Sequence, residues 1–92
     1  MGKKPRRKPR RLGKKLRQIR LALGLSQNEM LKRMRLDGKY GRNNLSNFEL
    51  NKREAPLPIV LGYARLGRIR VDVIVDDQLE LPDRLKILPV LE

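Results

Sequence analysis

The chain has 92 residues, enough for one small domain, and carries a formal net charge of +13 from 23 Lys and Arg against 10 Asp and Glu. It has no cysteine, so disulfides and thiolate metal sites are excluded, and no histidine, the commonest general base and metal ligand. The ten acids are scattered along the chain, which argues against an enzyme; no catalytic residue, cofactor or metal is expected.

Residues 1–11, MGKKPRRKPRR, are nearly all Lys, Arg and Pro. Mutual repulsion and proline oppose a helix there, so the reading is a disordered basic arm. Order begins at Leu12, where Leu12, Leu16, Ile19 and Leu23 recur on one face of an amphipathic helix. Lys14, Lys15, Arg17 and Gln18 fall on its other faces, and Gly24 suits a C-terminal cap. Ser26-Gln27-Asn28-Glu29 is a capping box that opens a second helix, with Leu25 and Met30 placed for a hydrophobic staple. Met30, Leu31 and Met34 point this helix inward, and Asp37-Gly38 stops it near Leu36.

The polar loop 37–42, DGKYGR, leads to a short third helix ending at about Leu50. Asn43 or Asn44 can cap it, Leu45 and Phe48 face the core, and Asn51 tolerates the left-handed turn that closes it. After NKREAPLP, Pro58 suits the first turn of a fourth helix whose apolar side is Val60, Leu61, Ala64 and Leu66, with Gly67 ending it. VDVIV at 71–75 reads either as a fifth helix reaching Asp76, burying Val71, Ile74 and Val75, or as a strand by its alternation. Helix is preferred because no partner strand is visible. The remaining QLELPDRLKILPVLE is expected to be mostly extended. The domain organisation is therefore an arm at 1–11, a helical domain at 12–76 and a tail at 77–92.

The charge is graded along the chain. Residues 1–20 hold eleven basic side chains and no acid, residues 21–70 ten against four, and residues 71–92 two against six. A basic arm and body point to a polyanionic partner: duplex DNA, RNA or an acidic membrane surface. Only Tyr40, Phe48 and Tyr63 are aromatic, too few for the stacking platforms of most single-strand and RNA binders. No apolar run nears the roughly 18 residues of a membrane span, and the basic start is not followed by a secretory apolar stretch, so no membrane partner is expected and the cytosol is the default location.

Several separated segments resemble the phage-repressor class (the Cro/repressor, xenobiotic-response-element type) of helix-turn-helix transcription regulators. LGKKLRQIRLALGLSQNEM is similar to that family's first helix and the start of its second, LSNFELNKREAP to its recognition helix and exit turn, and LGYARLGRIRVDVIV to its last two helices. The resemblance covers residues 12–75 and implies an all-α, four- to five-helix lambda-repressor-like domain that inserts the helix at about 43–50 into the major groove of double-stranded DNA. The family is chiefly bacterial and viral, which implies a cytoplasmic protein held to the nucleoid through DNA, although the letters of the arm also fit a nuclear-localisation signal.

Residue by residue, the resemblance makes Gln27 a phosphate contact and Arg42, Asn43 and Asn47 readers of base edges, with Asn44 and Ser46 as secondary readers. Arg is bidentate to guanine and Asn to adenine, so the chemistry suits the task. Lys39, Lys52 and Arg53 are candidate phosphate contacts. The resemblance also implies a structural ion pair between Arg20 and Glu49, tying the first helix to the third. The alternatives remain in view: Asn43 or Asn44 as a cap alone, Gln27 as an idle first-turn residue, Lys52 and Arg53 as solvated charges. The stretch from Ser26 to Leu45 is about four residues longer than the family's, with the excess around Asp37–Gly41, which leaves two options: a longer second helix or a looser loop. Gly67-Arg68 stands where the family has an apolar residue and then glycine.

The arm reads first as an electrostatic tether and second as a minor-groove reader. In the tail, Leu79, Leu81, Leu85, Ile87, Leu88, Val90 and Leu91 need burial, whether by packing back, by pairing two chains into a homodimer or by holding a protein partner. That last option defines the competing function, an antitoxin-like interaction module acting through 77–92. A basic structured-RNA or ribosome-associated protein is a third class and a hydrolase or transferase the last.

Overall fold

The computed structural model describes residues 9–82, and among them α-helix is the only regular secondary structure. Five helices follow in order: α1 Leu12–Leu23, α2 Gln27–Met34, α3 Arg42–Glu49, α4 Leu57–Gly67 and α5 Val71–Val75. VDVIV is therefore a helix, closing at Asp76, and no strand occurs among the described residues. The arm before Pro9 and the tail after Pro82 lie outside the described residues, and with them the readings of Leu85, Ile87, Leu88, Val90 and Leu91.

One core joins all five helices. Leu12, Leu16 and Ile19 of α1 meet Met30 and Leu31 of α2, Leu45 and Phe48 of α3, Ile59, Val60, Tyr63 and Ala64 of α4, and Ile74 of α5. The apolar side of the fourth helix is as expected at Val60 and Ala64, but Ile59 and Tyr63, which are fully buried, complete it, while Leu61 and Leu66 are only half-buried. A leucine pattern alone misplaces this face, because the tyrosine that anchors it reads as amphipathic. Val71 and Val75 are likewise half-buried, leaving Ile74 as the core residue of α5.

Two close approaches need glycine. A β-carbon on Gly13 would lie 2.6 Å from the carbonyl oxygens of both Phe48 and Glu49, so α1 touches the backbone at the end of α3. A β-carbon on Gly67 would lie 2.7 Å from Ile19 Cγ2, which makes Gly67 a packing residue inside the last turn of α4.

Helices α1 to α4 close in one way: a residue in the left-handed region, with the amide after it reaching back to the carbonyl five residues earlier. These residues are Gly24 (φ 72), Arg35 (φ 59), Asn51 (φ 60) and Arg68 (φ 54). The returning bonds are Leu25 to Arg20, Leu36 to Leu31, Lys52 to Asn47 and Ile69 to Ala64. Helix α2 thus ends at Met34, two residues before the expected stop. Arg35 and Arg68 hold this conformation against a β-carbon cost of about 1–2 kcal/mol. Arg68→Gly is expected to stabilise the protein by about 0.5–1 kcal/mol after the entropy of the freer chain is subtracted. A denaturant titration reads this as a raised midpoint, with Gly67→Ala moving it the other way; an unchanged or lower midpoint for Arg68→Gly would contradict the strained cap.

The ends of the domain are tied together. The Asp77 carboxylate accepts the backbone N–H groups of Arg10 and Arg11 at 2.8 and 3.0 Å, and these bonds hold its pKa below the usual carboxylate value. Arg11 also donates to the Asp77 carbonyl at 2.8 Å and pairs with Glu80 at 3.3 Å. The ordered body thus includes Pro9–Arg11, three residues earlier than the expected boundary, and takes in the tail at least as far as Leu81, which packs against the core.

Lys15, expected on a solvated face, is 1% exposed. Its ammonium donates to the carbonyls of Val73, Asp76 and Leu79 at 2.8, 2.8 and 2.6 Å, filling the orphan acceptors at and beyond the end of α5. Burial pushes its pKa below 10.5, with Arg11 adding to the shift and Asp77, Asp76 and Glu80 opposing it.

Candidate nucleic-acid interface

Helix α3 is fixed by its inner face. Leu45 and Phe48 enter the core, and Glu49 is 5% exposed. The Glu49 carboxylate lies where α1, α2, α3 and α4 meet. Arg20 donates through Nε and Nη2 to its two oxygens at 2.8 and 2.9 Å, Tyr63 Oη donates to Oε2 at 2.7 Å, and Gln27 Nε2 donates to Oε1 at 3.3 Å. Four donors occupy the four acceptor positions a carboxylate offers. Burial pushes the Glu49 pKa up, but the bonds from Arg20 and Tyr63, the Arg20 charge and the bond from Gln27 outweigh it and hold it below 4.5. The same bond to Glu49 raises Arg20, and burial first, then Glu49, raises Tyr63. Arg20 spends its remaining nitrogen, Nη1, on the Leu25 carbonyl at 3.0 Å, so the turn between α1 and α2 is held by the same group.

At the N-terminus of α2, Ser26 Oγ accepts the Glu29 amide at 3.1 Å while the Glu29 carboxylate accepts the Ser26 amide at 2.9 Å. Those bonds hold Glu29 below its ordinary pKa. Gln27 and Asn28 occupy the next two positions, where backbone N–H groups have no intrahelical acceptor. The contact with Glu49 sets this end of α2 beside the last turn of α3 and aims one Gln27 amide hydrogen inward.

The long connection at 35–41 is a packed turn, not an extension of α2. The Leu36 carbonyl accepts the amides of Lys39 and Tyr40 at 3.0 and 2.9 Å, Leu36 and Tyr40 pack on the core, and the Tyr40 ring meets Phe48 edge-on at 6.0 Å. Lys39 Nζ lies 5.7 Å from the Tyr40 ring centre. The turn delivers the chain to Gly41, which is the N-cap of α3. Neither candidate asparagine occupies that cap. Asn44 acts from three positions further on, its Oδ1 accepting the Gly41 amide at 2.8 Å. One half of its amide is thereby committed to the helix start, because the glycine offers no side chain of its own.

With the inner face fixed, the outer face follows. Arg42, Asn43 and Asn44 are exposed on the first turn of α3, and Ser46 and Asn47 are half-exposed on the next. Lys39 precedes this face, Lys52 and Arg53 follow it, and all three are exposed. The only acid within α3 is Glu49, which is turned inward. Asn51 is not available as a contact: Oδ1 accepts the Gly13 amide at 3.0 Å and Nδ2 donates to the Arg10 carbonyl, so it caps α1, whose own N-cap Arg11 makes no side-chain capping bond. The root of the basic arm therefore leaves the body beside the end of α3.

Tyr63, Asn51, Lys15 and Leu50 are the functional or supporting residues that sequence reasoning missed or misread. The first three act on partners distant in sequence. Leu50 has no role in the sequence reading beyond marking the end of the third helix, and it is 58% exposed. No helix among the described residues is long and apolar enough to cross a membrane. Comparison with known proteins yields no match to a family model, a curated protein or a solved structure.

Proposed function

We propose that the chain is a sequence-specific double-stranded DNA-binding protein, a transcription regulator of the repressor type, in which α2 and α3 act as a helix-turn-helix and α3 enters the major groove. The observation that carries this reading is the division of α3: an inward face locked by Leu45, Phe48 and Glu49, and an outward face of Arg42, Asn43, Ser46 and Asn47 with no acid, flanked by Lys39, Lys52 and Arg53. A helix of ordinary diameter fits a groove about 12 Å wide, and Arg and Asn match the edges of guanine and adenine there. The four-donor site at Glu49 makes α3 rigid with respect to α1, α2 and α4, which a reader of base edges requires. Gln27 and the free amides at the start of α2 suit a phosphate oxygen on one flank, and Lys52 and Arg53 suit the backbone on the other. The family resemblance of residues 12–75 agrees with each of these roles. The chain lacks Cys and His, and Glu49 is consumed by its ion pair, so the protein is read as a binding module without a catalytic step.

Selection of the full chain against a random duplex library tests the reading, and enrichment of a defined motif is expected. Asn47→Ala is then expected to lose about 1–3 kcal/mol at one base position and to relax the preference there. No enriched motif, or equal binding to random duplex and folded RNA, would contradict sequence-specific recognition. Because Pro9–Arg11 belong to the packed body, the arm is tested by removing residues 1–8 alone. Weaker binding across all sequences and a shallower salt dependence mark a tether; a changed motif marks a base reader.

A further inference from the structure

We propose that Leu50 is a specificity residue that reads the C5 methyl group of a thymine in the major groove. The assignment rests on the DNA-binding reading of α3 and deepens it by naming one base. Leu50 follows Asn43 and Asn47 at i, i+4 and i+7, so the three lie along one side of the helix, opposite the inward side of Leu45, Phe48 and Glu49. Leu50 closes the helix with φ −90 and ψ 3, close enough to helical to keep its side chain in line with the preceding turn, and it is 58% exposed. Every other outward position on α3 is Arg, Asn or Ser.

A large apolar side chain at the C-terminal end of a polar, cation-flanked face gains nothing from water. Opposite duplex DNA it meets the one apolar group that the major groove presents, the thymine methyl, which no other base carries. The flanking charges of Lys52 and Arg53 favour a polyanion over an apolar protein partner at this spot. The backbone at Leu50 is also well placed, because its amide bonds to the Ser46 carbonyl at 2.9 Å and the next residue, Asn51, is pinned to α1. The side chain is thus presented from a fixed point.

The test uses the full chain and its selected duplex. Each thymine is replaced in turn by deoxyuridine, which removes only the methyl group, and affinity is measured for the wild type and for Leu50→Ala. One position is expected where the replacement weakens the wild type about fourfold, the effect of one buried methyl group, and leaves L50A unaffected. The exposure of Leu50 predicts an unchanged thermal midpoint for L50A, and the wild-type scan stands without the variant. Absence of any methyl-sensitive position, or the same sensitivity in L50A, overturns the assignment while leaving sequence-specific binding intact. Failure to enrich any motif overturns both.

Discussion

Replacing Glu49 with alanine is expected to cost about 3–5 kcal/mol, as much as removing a large side chain from the core. The reason is what stays behind. The Arg20 guanidinium, with 11% of its side chain exposed, keeps its charge and its bond to the Leu25 carbonyl but loses both carboxylate acceptors, and the buried Tyr63 hydroxyl loses its acceptor. For a domain of this size, each kcal/mol moves the thermal midpoint by about 4–8 °C, so a fall of at least about 12 °C or the absence of a cooperative transition is expected. The double variant Arg20→Met, Glu49→Leu distinguishes a charge effect from a packing effect. Removing both charges together abolishes the stranded guanidinium and is expected to recover much of the loss. Equal midpoints for E49A and the wild type would refute the central role of the carboxylate.

The same group sets the response to acid. Its folded pKa lies below the unfolded value of 4.5, so the unfolded chain binds the proton more readily. The stabilisation is therefore complete above about pH 4.5 and is lost as the pH falls through the lower folded value. A denaturation series across this window is expected to fall more steeply for the wild type than for Glu49→Gln, in which that position no longer titrates. Loss of Glu49 also releases Gln27, so the acid transition is expected to loosen the end of α2 beside α3 before the core opens.

What the sequence makes legible is local. The capping box at Ser26 and Glu29 is complete within four residues, and both of its bonds form. The one-face apolar spacing of Leu12, Leu16 and Ile19 lies within a single helix and specifies α1 directly. Asn51 takes the left-handed conformation for which asparagine is suited, but its capture of the Gly13 amide depends on α1 crossing the end of α3 at a glycine, and no local pattern announces such a crossing. The outer face of α3 is readable once Leu45 and Phe48 are assigned inward. Its start is not, because the cap is a glycine assisted by Asn44 from inside the helix. Leu50 illustrates the limit from the other side: its spacing sets it opposite Leu45 and Phe48, but its exposure follows only once those two are fixed inward.

Lys15→Met is expected to destabilise the protein by about 3 kcal/mol even though methionine replaces most of the buried stem. The ammonium makes three bonds to carbonyls, and bonds from a charged donor contribute about 1.5–3 kcal/mol each before rehydration of the freed acceptors is counted. One of the three acceptors is the Val73 carbonyl within α5, and the others, Asp76 and Leu79, lie beyond it, so the damage concentrates on residues 71–81. Denaturant titration measures the global loss, and limited proteolysis is expected to show faster cleavage within that segment. The effect travels further, because Asp77 belongs to the same segment and holds the amides of Arg10 and Arg11. Amide exchange at Arg10 and Arg11 is therefore expected to accelerate together with that at Val75 and Asp76. Acceleration confined to α5, with Arg10 and Arg11 unchanged, would show that the arm's root is held by Asn51 rather than by the acidic segment, and that Lys15 acts on α5 alone.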